Sequence, residues 1–324
     1  YDLKPSTKVV YQYMFDRFVR PDFGKRAIGK IRYSDVRNFY YTLLLEKDLH
    51  VNTLDSIHAQ LHPAFTMAVR DGILLQNPCT GVTREIKRSH VWQDNARHAL
   101  TKAEQDRFME FLKKEKSYER WEPILTVLLG TGLRIGECLA LRWSDLDMEN
   151  RLIYVRLSLS NRQFSKGHTE KHISTPKTNS GIRTVPMLEE VYDAFMKEWA
   201  EQLYWGNCTE VIDGYSGFVF ANINGKAYSP PSINRAIERI RLACNREEEE
   251  KALLEGREPL LVPHFSAHHL RHTFCTRMVE NEVNVAILRE IMGHRTLATT
   301  LEVYTTVSNE KKKETAQSLK GKIF

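Results

Sequence analysis

The segment HHLRHTF, residues 268–274, places three histidines and an arginine within five positions, with no acid among them. On a helix, His268, Arg271 and His272 lie at i, i+3 and i+4 and share one face. A His-x-x-x-His pair is also how a helix presents two zinc ligands. Here the glutamate of the HExxH pattern is missing, and Arg271 sets a permanent positive charge beside the would-be metal. The residue types therefore suit a pocket for an anion, the bland alternative being a partly exposed helix whose histidines are all satisfied.

Other segments carry compatible chemistry. GTGLRIGECLALRW places Arg134 just after a Gly-containing turn, close to a helix start, where free N–H groups and the macrodipole favour negative charge. Glu137, one turn later, can hold that guanidinium in place. EIMGHRTLATTLEVYTT offers Gly293-His294 and, ten residues on, Tyr304, while Lys177 sits at an expected hairpin turn in TPKTNSGIRTVP. Singly these are an ordinary helix start, a capping histidine, a surface lysine and a half-buried tyrosine. Together, two arginines, two or three histidines, a lysine and a tyrosine form an inventory suited to phosphoryl transfer to a side-chain hydroxyl.

The elements that must position them divide in two. The 324 residues exceed one typical domain, and 27% charged against 42% hydrophobic residues is ordinary for a globular chain. The net charge of +6 permits a polyanionic partner without requiring one. Five scattered cysteines with no CxxC pair argue against a disulfide framework or a structural zinc site, and a reducing cytoplasm fits. No apolar run approaches the roughly 18 residues that span a bilayer, and no signal peptide opens the chain. The first residue is Tyr1 rather than Met, so a fragment lacking an N-terminal portion is expected.

Residues 1–84 read as helical and basic: residues 1–100 hold 15 Lys/Arg against 10 Asp/Glu, five of the six net charges. Three amphipathic helices are expected there, capped at Ser6/Thr7, Ser34 and Asn52. Residues 85–100 read as a polar linker. From 101 a second unit begins with a capping box, Thr101 with Glu104, followed by a buried helix, a Gly turn and another helix over 122–147. Residues 151–160 and 181–187 read as two strands joined by a polar connection, and the rest is mainly helical. The acidic stretch 245–258 reads as a solvated helix or insertion without chemistry. There is no internal repeat.

The motifs TGLRIGECLALRWSDLD, TPKTNSGIRTVPM, HHLRHTFCTRM and IMGHRTLATTLEVY, in this order over 101–307, resemble the tyrosine recombinase (phage integrase) family. The resemblance is greatest to integrases of Gram-positive conjugative transposons, and KPSTKVVYQYMFDRFVRPDFGKRAIGKI looks like the start of that family's core-site-binding domain. It implies a mainly α fold with a small antiparallel β-sheet, in two domains forming a C-shaped clamp on DNA. The domains would be a core-binding unit (1–84), a linker (85–100) and a catalytic unit with a C-terminal tail (101–324). No N-terminal arm-binding domain is visible.

Carried over position by position, the family's catalytic set becomes Arg134, Lys177, His268, Arg271, His294 and the nucleophile Tyr304, with Glu137 supporting. Two departures stand out: a His-to-Tyr gap of ten where many relatives have nine, and the acidic stretch 245–258. The implied activity is site-specific cleavage and rejoining of DNA through a 3′-phosphotyrosyl intermediate and a Holliday junction, integrating or excising a mobile element. No metal and no ATP are implied. The implied partners are duplex attachment sites, a homotetramer at the synapse and an accessory excision factor, in the bacterial cytoplasm. The competing readings are a type IB topoisomerase, a non-catalytic DNA-binding protein and, more distantly, a zinc hydrolase built on His268 and His272.

Overall fold

The computed structural model describes residues 5–89, 99–165, 168–176, 181–294, 296 and 300–301; side chains of residues 5, 6, 162–165 and 168 fall outside that description. The chain separates into two compact units, Tyr1–Ala96 and Arg97–Phe324.

The first unit is helical: α1 (Pro5–Met14), continued by a π-helical turn at Phe15–Val19, then α2 (Tyr33–Tyr41), α3 (Val51–Arg70) and α4 (Val82–Arg88). Along α3, Val51, Leu54, Ile57, Leu61, Phe65 and Ala68 recur every three or four residues and are all buried. That spacing gives one inward stripe, which is why the segment folds as a helix against its neighbours. Tyr40 is fully buried, and its hydroxyl meets Nδ1 of His58 at 2.9 Å, so this buried polar atom has a partner.

The helix starts differ from those expected. Helix α1 begins at Pro5, so Ser6 and Thr7 lie in its first turn. Ser34 is likewise inside α2, where the Asp35 carboxylate accepts the Arg32 N–H at 2.9 Å and is held by Arg26 at 2.7 Å. At α3 the capping side chain is His50, whose Nδ1 accepts the Asn52 N–H at 3.2 Å. In both helices the start lies upstream of the expected cap, and a different side chain accepts an N–H at the first turn. Helix α4 runs to Arg88 and takes in the first four residues of the expected linker, whose residues 90–98 lie outside the described residues.

The second unit holds α5 (Lys102–Lys114), α6 (Glu122–Thr131), α7 (Ile135–Leu139), α8 (Glu189–Trp205), α9 (Pro230–Glu255), α10 (Ala267–Glu280) and α11 (Val285–Met292). Its strands are β1 (Leu146–Asp147), β2 (Leu152–Val155), β3 (Ser158–Ser165), β4 (His168–Ser174) and β5 (Arg183–Pro186). The Thr101/Glu104 capping box opens α5 as its spacing requires, with Thr101 N–H donating to Glu104 at 2.7 Å. Helix α6 buries Pro123, Ile124, Leu125, Val127, Leu128 and Thr131 and packs against both α8 and α10.

Strands β1, β2 and β5 form one antiparallel sheet, with Ile153 opposite Val185. The single strand expected over 151–160 instead supplies both β2 and the start of β3. The polar connection folds as a hairpin of β3 and β4, in which Leu159 and Ile173 form a buried cross-strand pair. One apolar pair among polar residues leaves too little alternation to read from sequence. Strands β4 and β5 belong to different sheets, and Lys177, expected at a hairpin turn between strands, lies outside the described residues. The acidic stretch is also not simply solvated. Glu248 on α9 is 2% exposed and meets Arg107 at 2.7 Å and Arg257 at 2.6 Å, while accepting the Leu260 N–H at 2.9 Å.

Candidate active site

Helix α10 carries the histidine-rich segment, and its three histidines have different roles. His269 is a capping residue: its Nδ1 accepts the Ser266 N–H at 3.1 Å, closing the helix start. His268 is exposed in the first turn, and its ring meets that of His272 edge-on at 4.9 Å. Arg271, by contrast, is buried, 3% exposed. It donates to the carbonyl of Gly132 at 2.6 Å and to that of Met292. Gly132 ends α6 at φ +62°, and a Cβ there would meet Phe274 at 2.4 Å, so the glycine permits both the turn and the approach of α10.

Arg134 is the residue just before the single-turn helix α7. Glu137 folds back on it, accepting the Arg134 N–H at 3.0 Å and its guanidinium at 2.7 Å. The helix-start amide is therefore taken by the chain's own carboxylate rather than left for a ligand, and what remains accessible is the guanidinium, 43% exposed. Gly136 lets α7 lie on β3, because a Cβ would meet the Leu159 carbonyl at 2.6 Å.

Reading the sequence alone missed Arg183, on β5. Its guanidinium is 6% exposed and donates to the second oxygen of Glu137 at 2.9 Å and to the Ile291 carbonyl at 2.5 Å. Three arginines thus converge on the end of α11, one on each of three successive carbonyls: Arg183 on Ile291, Arg271 on Met292, and Arg134 on Gly293 at 3.4 Å. The last carbonyls of a helix have no partners within it and carry the negative end of its dipole, which draws cations there. Three guanidiniums facing one carboxylate leave a local charge of +2.

His294 follows directly after Gly293, which ends α11 at φ +61°. Its Nδ1 lies 2.9 Å from the hydroxyl of Thr300. Burial pulls the imidazole pKa down to about 4, helped by the positive fields of Arg271, Arg134 and Arg183, so the ring is neutral at neutral pH. In the free protein His294 therefore contributes a hydrogen-bonding ring rather than a charge. Burial, followed by the nearby Arg134, lowers Arg271 to about 9, still protonated at neutral pH. Glu137 feels burial pushing its pKa up, but Arg183 and then Arg134 outweigh this and hold it below the usual carboxylate range.

The fold therefore gathers Arg134, Glu137, Arg271 and His294 around the end of α11 and keeps His268 on the exposed first turn of α10. Lys177 and Tyr304 lie outside the described residues. Among the described residues, no group of three His, Cys, Asp or Glu side chains is placed to hold a metal, including around His268 and His272.

Residues 98–311 match the phage integrase family, and residues 1–44 match the phage integrase N-terminal SAM-like domain. The chain belongs to the phage integrase family of tyrosine recombinases. The recombinase is 31% identical over 305 residues to the transposase from transposon Tn916 of Enterococcus faecalis, covering 93% of this chain and 70% of that protein. A solved structure of the Tn1549 transposon integrase in complex with transposon right end DNA superposes with a TM-score of 0.84 at 29% identity, covering 98% of this chain and 95% of that one. A lambda integrase tetramer bound to a Holliday junction shares the fold, with a TM-score of 0.61 at 15% identity over 93% of this chain and 72% of that one. The mainly helical architecture with small antiparallel sheets is that of these integrases. No described helix of the recombinase is long and apolar enough to cross a membrane.

Proposed function

We propose that this recombinase cuts and rejoins duplex DNA at attachment sites to move a conjugative element, with its phosphate clamp at the end of α11. The observation that carries this reading is the +2 cluster of Arg134, Arg183 and Arg271 against Glu137, from which the half-exposed Arg134 guanidinium faces outward. Burying like charges together is costly, and a phosphate dianion equivalent in the transition state offsets that cost.

In the reaction, Arg134 and Arg271 bind the non-bridging oxygens of the scissile phosphate, and His294 donates a hydrogen bond to one of them. The Tyr304 oxygen attacks phosphorus, forming a P–O bond while the P–O5′ bond breaks. An unperturbed tyrosine titrates near 10, so it needs a base, and His268 takes its proton. Lys177 gives a proton to the departing 5′ oxygen. The 3′-phosphotyrosyl ester retains the bond energy, so a 5′ hydroxyl from a partner strand reverses the step without ATP. Fixed guanidiniums stand where a divalent ion would otherwise neutralise the phosphate, so no metal is needed.

The basic helical unit ending near residue 84 is assigned to gripping the core site, and the unit from residue 101 to catalysis. The two units clamp the duplex, four copies assemble at a synapse of two sites, and strands exchange through a Holliday junction. An accessory factor biases the direction toward excision, and the work takes place in the bacterial cytoplasm.

The test is trapping on a nicked duplex built from the DNA flanking the coding gene, run on a denaturing gel with and without chelator. A covalent band that survives chelator and vanishes in Tyr304→Phe is expected. Clear DNA binding with no covalent band from the unaltered chain would overturn the assignment of Tyr304.

A further inference from the structure

Arg183 belongs to the same cluster as Arg134 and Arg271, yet its surroundings give it a different task. Its Nε donates to the Ile291 carbonyl at 2.5 Å, Nη1 to the Gly181 carbonyl at 3.2 Å and Nη2 to Glu137 at 2.9 Å. Every nitrogen of the fork has a protein acceptor, and the side chain is 6% exposed. With Nε, Nη1 and Nη2 directed in three directions at protein acceptors, the fork is engaged within the protein and braces its neighbours. Arg134, by contrast, is 43% exposed, and its Nη2 makes only a 3.4 Å contact with Gly293.

We infer that Arg183 is a positioning residue that tunes the clamp: it takes one oxygen of Glu137 and the Ile291 carbonyl, so that Arg134 keeps its charge for the phosphate and His294 is delivered beside it. The inference rests on reading Arg134, Arg271 and His294 as the phosphate-binding set. Glu137 divides its two oxygens between Arg183 at 2.9 Å and Arg134 at 2.7 Å. Without Arg183, the whole carboxylate turns to Arg134 and neutralises the cation that must meet the phosphate. The same loss uncaps a carbonyl three residues before His294, at the helix end that aims the ring. Lysine does not replace it well: a single ammonium can meet Glu137, but it lacks the flat fork that reaches two acceptors in different directions.

A defect of this kind depends on the charge of the phosphate, which a loss of packing does not. The experiment compares covalent complex formation on two nicked duplexes from the DNA flanking the coding gene. One carries an ordinary phosphodiester at the scissile position and the other a methylphosphonate, in which a methyl group replaces a charged oxygen. Arg183→Gln, Arg183→Lys and Arg134→Ala are measured, and thermal melts report folding. On the phosphodiester, Arg183→Gln is expected to be slower by roughly 100-fold, the scale of losing one transition-state donor, and Arg183→Lys by about 10-fold. On the methylphosphonate, both deficits should shrink to within about 5-fold of the unaltered chain, as should that of Arg134→Ala. Equal losses for the Arg183 variants on both duplexes, with Arg134→Ala relieved, overturn the inference and leave Arg183 a packing residue. No relief for Arg134→Ala overturns the reading of the clamp itself, and the inference with it. Should Arg183→Gln fail to fold, Arg183→Lys makes the same comparison.

Discussion

Glu198 offers a test of the catalytic unit's energetics that needs no DNA. It lies on α8, 7% exposed, where Gln202 donates to it at 3.3 Å. Burial raises its pKa to about 7, from 4.5 for the free side chain, despite Gln202 and Arg120 pulling it down. Because the folded pKa is the higher one, its contribution to stability is full below about pH 4.5 and disappears as pH rises through 7. Moving the pKa from 4.5 to about 7 corresponds to roughly 3 kcal/mol lost between pH 4.5 and pH 8. Glu198→Gln keeps the shape and the acceptor for Gln202 but cannot ionise, so it should remove this loss. Urea unfolding followed by fluorescence at pH 5 and pH 8 measures it. The variant should match the unaltered protein within about 1 kcal/mol at pH 5 and exceed it by about 2–3 kcal/mol at pH 8. In a unit of this size that is on the order of 5–10 °C in melting temperature. A pH dependence shared equally by both proteins would show that Glu198 is ionised without cost in the fold, and the burial argument would fail.

Gly132→Ala should cost about 2–5 kcal/mol, from the left-handed backbone at φ +62° and the 2.4 Å approach to Phe274, as read by thermal or urea melts. Glu248→Ala should destabilise by about 3 kcal/mol, because it leaves Arg107 facing a buried void; Arg107→Met in the same background should recover part of that loss. In the free protein, NMR titration should place the His294 midpoint near 4, and added inorganic phosphate should raise it as an anion offsets the neighbouring guanidiniums. A midpoint near 6.5 would show that the arginines do not act on the ring. Thr300→Val should slow covalent complex formation by about 10-fold and Thr300→Ser should restore it, since the hydroxyl 2.9 Å from Nδ1 fixes how the ring presents its other nitrogen.

Local pattern carried much of the recombinase. The apolar stripe of α3, the Thr101/Glu104 capping box, the Arg134/Glu137 pair and the glycines before Arg134 and His294 could all be read from the chain, because each depends on residues within one or two turns. What could not be read depends on partners far away in sequence. Arg183 looks like any polar residue alternating along a strand; only the pairing of β5 with β2 and its contact with α11 bring it to Glu137 and Ile291. Glu248 looked like one more acid in a solvated run until Arg107, from a helix 141 positions earlier, met it in the interior. The hairpin of β3 and β4 escaped notice because backbone hydrogen bonds hold polar residues without any apolar period. The neutrality of His294 also belongs to the tertiary structure, since a lone histidine motif says nothing of the three cations whose fields, with burial, set its pKa. The sequence by itself determined which groups could do the chemistry. Tertiary structure decided their charges and which of them face outward, because burial and long-range pairing act only once distant segments meet.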